Sequence, residues 1–186
     1  MTAETLPILS SVRKRILPDI ELFRFRVSAQ SDKATIPYFI DFHFCDGMVA
    51  VPRMCPCATI AEELCYRTPL SRDGTHVEIL SLLATAMSLY ENTFDPFGET
   101  ALIVSGNYNI GESDDKPSRK AKLYLRSFQH SKYRFLYSCV RLDRNSFLLL
   151  RNESSLLWSD ISAIFKNYCD RVKELEAALR LDTSLH

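Results

Sequence analysis

The stretch WSDISAIFKNYCDRVKELEAAL, residues 158–179, decides how the rest of the chain is read. Trp158, Ile161, Phe165, Tyr168, Val172, Leu175 and Leu179 recur at spacings of 3, 4, 3, 4, 3 and 4. These are heptad a and d positions, with a at Trp158, Phe165, Val172 and Leu179, and Lys166, Asn167, Asp170, Arg171, Lys173, Glu174 and Glu176 on the flanks. A helix of roughly 28 residues is about 40 Å long, more than one small sheet domain covers. Beyond Tyr168 the seam narrows to the width of a coiled coil rather than of a globular helix. The pattern therefore predicts a globular head over residues 1–152 and the start of a parallel dimeric coiled coil over 153–186, continuing past His186. A terminal helix folded back on the head is the competing arrangement.

Upstream, hydrophobicity alternates. Residues 19–28 (DIELFRFRVS) and 35–45 (TIPYFIDFHFC) read as half-buried strands, with Asp41 and His43 opposite the apolar face of the second. Pro37 places that strand at an edge. Asp46-Gly47 closes a hairpin, and a third strand starts at Met48 and is cut short by Pro52. Thr59-Ile60-Ala61-Glu62 and Thr75-His76-Val77-Glu78 are capping boxes that open helices over about 59–66 and 75–92. Strands resume at 100–105, 121–128, 132–142 and 146–151, around a polar loop at 106–120 and a turn at Asp143-Arg144-Asn145.

Composition narrows the function. The chain has 186 residues with 23 Lys+Arg against 23 Asp+Glu, so no global positive field draws it to nucleic acid. No apolar run is long enough to span a bilayer, and Met1–Ser11 lacks the basic region and cleavage site of a secretory signal. The six cysteines (Cys45, Cys55, Cys57, Cys65, Cys139 and Cys169) then read as reduced, semi-buried thiols. His43, Cys45, Cys55, Cys57 and Cys65 are close enough in sequence to tempt a zinc reading. They lack paired Cys-x2-4-Cys knuckles, because Cys55 and Cys57 are separated by a single residue. There is no phosphate-binding glycine loop, no metalloprotease helix and no nucleophile elbow, so an interaction protein without cofactor, metal or small-molecule substrate is expected.

Two surface features remain. Ten Lys and Arg residues lie between Lys116 and Arg151, and Lys116, Arg119, Lys120, Lys122 and Arg126 form a candidate patch for an acidic polymer, either a tubulin surface or nucleic acid. A solvated sheet face accounts for the same charges. Leu142-Asp143-Arg144 is the other, an apolar residue beside a tight turn that either closes the core or meets another subunit.

The order of elements, together with residues 131–144 (SKYRFLYSCVRLDR), resembles the variable-flagella-number family of basal-body coiled-coil proteins. These are paralogues of the centriolar cartwheel protein, in a head-plus-coiled-coil superfamily shared with DNA end-joining scaffolds. The resemblance implies an α+β fold: an antiparallel, barrel-like β-sandwich head with a helical hairpin inserted at about 59–92, then a long C-terminal coiled-coil helix. It implies a non-enzymatic, self-assembling centriole or basal-body scaffold in the cytoskeleton, dimerising through that helix and supporting cilium assembly. Head-to-head contact would map to Leu142 and Asp143, and basic surface would engage microtubules. A nuclear end-joining scaffold is the alternative within the same architecture.

Overall fold

The structure, a computed structural model, describes residues 4–30, 35–57, 76–106 and 115–181. Four strands come first: β1 (Ile8–Leu17), β2 (Ile20–Gln30), β3 (Thr35–Cys45) and β4 (Val49–Pro56). They pair as an antiparallel meander. Helix α1 (His76–Thr93) leads to β5 (Ala101–Ser105), and helix α2 (Arg119–Gln129) to a 3-10 turn at Lys132–Phe135. The chain ends with β6 (Tyr137–Arg141), β7 (Ser146–Arg151) and helix α3 (Trp158–Leu181). The strands form one seven-stranded sheet in the order β1-β2-β3-β4-β5-β7-β6, with β4 and β5 parallel and the other neighbours antiparallel.

The sheet is open. It neither closes on itself nor folds into the expected sandwich or barrel, and helices cover both of its faces. On one face α1 and α2 pack over Phe25, Tyr38, Ile40, Phe42, Leu102 and Phe147. Phe94 centres an aromatic group there, its ring 4.8 Å from Phe23, 4.9 Å from Phe42 and 5.1 Å from Phe44. On the other face α3 packs over Leu17, Ile20, Leu22, Val49, Val51, Ile103 and Leu148. Strand alternation therefore separates two apolar faces rather than an apolar from a wet one.

The coiled coil is the main correction. Ile161, Tyr168, Leu175 and Leu179 are buried against the chain's own sheet, with Phe165 and Val172 half-buried beside them, while Trp158 is 54% exposed. A heptad stripe records that one side of a helix is covered, not by what. The sheet is about 29 Å wide, taking seven strands about 4.8 Å apart, and the 24-residue α3 is about 36 Å long. One sheet is therefore wide enough to use most of the seam.

Local corrections have equally plain causes. Residues 121–128 are helical: the Ser118 hydroxyl accepts from the Ala121 N–H as an N-cap, and Ala121, Tyr124 and Phe128 recur at helical spacing beneath an apparent alternation. The segment 132–142 divides into the 3-10 turn and β6. Strand β1 escaped the reading because ILSSVRKRIL is exposed along most of its length and does not alternate. Pro37 lies in an interior strand, at a register where β4 has already ended and the Cys57 N–H donates to the Pro37 carbonyl. Pro52 does not stop β4, because β5 pairs with that strand only at Val49 and Ala50. The helix expected at 59–66, the capping residue Thr75 and most of the 106–120 loop lie outside the described residues.

Candidate functional site

The two edges of the sheet are built differently. Strand β1 carries Arg13, Lys14 and Arg15, and its pairing with β2 is broken by register shifts after Ile8 and after Arg15. Arg13 and Arg15 both reach Glu21 on β2, at 2.8 and 3.1 Å. Charge and bulges of this kind blunt an edge against further pairing, although Ile8, Leu9 and Val12 remain exposed there.

Strand β6 pairs with β7 over five residues with no register shift. The Leu142 N–H donates to the Ser146 carbonyl (2.9 Å) and the Asn152 N–H to the Leu136 carbonyl (3.0 Å). Alternation then turns the N–H and C=O groups of Ser138 and Val140 towards β7, and those of Tyr137, Cys139 and Arg141 outward. No strand covers them among the described residues. Phe135 (69% exposed), Leu136 and Val140 (50%) stand beside this edge. Lys132, Arg134, Arg141 and Arg144 flank it, all exposed. The Arg134 and Arg141 guanidinium groups donate to backbone carbonyls, and among the described residues neither meets a carboxylate.

A second feature lies between α1 and α2, a cleft of about 830 Å³ that reaches the sheet. Leu83, Met87, Leu123 and Phe128 form its apolar walls, and Phe42 and Leu149 its floor. The parting of β4 from β5 after Ala50 leaves Pro52 and Met54 on its lining. Its polar lining is concentrated on one stretch, Arg126, Ser127, His130, Ser131 and Lys132. Burial pushes the Tyr124 phenol in the same cleft well up, keeping it neutral.

The residues singled out from the sequence are distributed as follows. The seam residues face the sheet, Trp158 excepted. Leu142 is half-buried against the core under α3, and the Asp143 carboxylate caps its own turn, accepting from the N–H groups of Asn145 (2.6 Å) and Ser146 (2.8 Å). The tip thus lies beside β6 but is closed by internal bonds. Of the basic patch, Arg119, Lys122 and Arg126 share one exposed side of α2 and Lys116 is exposed before it, whereas Lys120 is buried.

Cys45, Cys57, Cys139 and Cys169 are free, but Cys55 is disulfide-bonded, which corrects the expectation of six reduced thiols. Desolvation pushes all four free thiols up, Cys45 to about 12, and disfavours the reactive thiolate. No group of three metal-ligating side chains gathers among the described residues. His43 instead lies under α3, with Nδ1 2.9 Å from the Tyr168 hydroxyl. No described helix is long and apolar enough to cross a membrane.

Reading 121–128 as a strand concealed the cleft and its polar rim, and the missed signal was Pro117-Ser118 as a helix start. The outward amides of β6 have no sequence signal at all, since every strand has such groups until its neighbours are known. No family model, curated protein or solved structure matches the chain.

Proposed function

We propose that this chain is a non-enzymatic scaffold module that recruits a partner by strand addition to β6, the partner being an extended protein segment with acidic flanks. The observation that carries the reading is the bare β6 edge with its four flanking cations, set against the blunted β1 edge. Outward amides supply affinity in strand addition, and neighbouring side chains supply selectivity. Like charges make a second copy of the chain a poor occupant, because two β6 edges would bring cations together.

This keeps the centriole and basal-body scaffold reading, without its coiled coil, as the setting in which such a partner is sought. Residues 131–144, which carry that resemblance, are the segment that forms the 3-10 turn, β6 and its hairpin tip. Acidic tubulin tails are one source of the partner segment. The DNA end-joining alternative needs the same cations but not the strand amides, and this separates the two.

A labelled peptide alternating valine and glutamate should bind with an affinity that falls as salt rises. Cys139→Pro removes an outward N–H while leaving every β6–β7 hydrogen bond, and should abolish peptide binding and microtubule co-sedimentation. Duplex DNA retained by both wild type and Cys139→Pro, with no peptide binding to either, would favour the end-joining reading. Peptide binding unchanged in Cys139→Pro would overturn the strand-addition proposal.

A further inference from the structure

The cleft between α1 and α2 has a largely apolar lining, with Thr5 and Ser88 as isolated polar residues and a consecutive polar group at and just after the C-terminal turn of α2. Its volume of about 830 Å³ lies inside the roughly 300–1,000 Å³ of small-molecule sites. The polar end has an unsatisfied character. The Ser127 hydroxyl oxygen is buried on the cleft wall and makes no hydrogen bond among the described residues.

The charge at that end is positive. A helix C-terminus normally offers bare carbonyls, which repel anions. Here the Arg126 and Phe128 carbonyls accept from the His130 N–H, the Phe128 carbonyl also from Ser131, and the Gln129 carbonyl from Arg134. The last turn is therefore capped by its own chain. Arg126 and His130, one turn apart on the same side of the helix, line the rim as donors, and Lys132 adds a second fixed cation.

We infer that the cleft binds an aliphatic monocarboxylate, its chain lying between Leu83, Met87 and Phe128 and its carboxylate at Arg126 and His130. The apolar lining supplies most of the affinity, and the rim fixes the orientation and selects acid over neutral amphiphile. A site of this kind adjoins the β6 edge, since Lys132 and Cys139 belong to both, but it takes a different kind of ligand. Occupancy by a lipid-like acid is a property that strand addition neither requires nor implies.

The test uses dansylaminoundecanoic acid and its methyl ester, titrated by fluorescence against the full chain. The acid should bind saturably, about tenfold tighter than the ester, as expected for one charge-assisted hydrogen-bonded contact. Arg126→Gln with His130→Gln should bring the acid down to the ester's affinity and leave ester binding and β6 peptide binding unchanged. Ala84→Trp, which places a ring in the cleft, should abolish binding of both probes. Equal affinity for acid and ester in the wild type, acid binding undiminished in the Arg126/His130 variant, or no saturable binding of either probe would each overturn the inference.

Discussion

The two faces of the sheet are both apolar and both covered by helix, yet they are closed in different ways. The face that carries α3 is rich in directed polar contacts: Arg24 and Asp41, opposite each other on β2 and β3, form a buried bidentate pair with contacts of 2.9 and 2.8 Å. The Arg24 guanidinium also lies 4.5 Å from the Phe39 ring centre. His43 meets Tyr168 of α3, Arg53 meets Glu176 at 3.4 Å, and Arg171 and Asn167 both reach Asp19. Under α1 and α2 the polar anchorage sits at the helix ends: Asp95 accepts from the Thr100 N–H and hydroxyl and from the Tyr137 hydroxyl after α1, and Ser118 donates to the Gly106 carbonyl and to Asn145 before α2. Between them the contacts are mainly aromatic and aliphatic packing beside a cleft. Directional bonds fix the register of α3, while the opposite face keeps void volume. The first arrangement suits a wall and the second a binding surface.

The largest test of that contrast removes one member of the buried pair. Asp41→Ala leaves the Arg24 charge buried and should lower unfolding stability by about 3–5 kcal/mol in a urea titration. A loss near zero would mean that solvent reaches the pair and that this face is not sealed around it.

A matched pair of leucine truncations sharpens the comparison. Leu175→Ala, on the fully buried side of α3, should cost about 2–5 kcal/mol, whereas Leu83→Ala, half-buried on the cleft wall, should cost about 1 kcal/mol or less. The Leu175→Ala midpoint should not change with protein concentration, because the contact is within one chain. Equal costs on the two faces would remove the distinction between wall and cleft.

The smallest effect is a pH dependence. Burial, with the Arg53 and Arg24 charges close by, holds His43 well below its usual range, so it is neutral in the folded chain. The unfolded histidine takes up a proton below about pH 6.5, and the folded one does not follow until its depressed value is reached. Stability contributed by neutral His43 is thus present above about pH 6.5 and declines as pH falls, by up to about 1.4 kcal/mol per pH unit. His43→Gln should flatten the decline between pH 6.5 and 5 in denaturation curves. An unchanged slope would place its source elsewhere.

The legibility of the sequence followed the same division. Strands β2, β3 and β7 and helix α1 lay close to where alternation, capping and turn residues put them, because those signals act within a few residues of chain. Asp41 and His43, set opposite the apolar face of their strand by the alternation, are buried together with Arg24, each meeting a partner on another element. Of the candidate sites, the cations around β6 were visible as a basic run. The edge they flank and the cleft rim at Arg126 and His130 were not.

By itself, then, the sequence determined a mixed sheet-and-helix chain, the hairpin turn between β3 and β4, a helix ending ahead of Asp95-Pro96, and a C-terminal helix with one covered side. Tertiary structure alone decided that this side is covered by the chain's own sheet, that the sheet stays open, and that β6 is left at its edge. The physical reason is that periodicity reports which side of an element is buried, whereas the identity of the burying surface depends on strand order and sheet width, quantities set by contacts between residues distant in the chain.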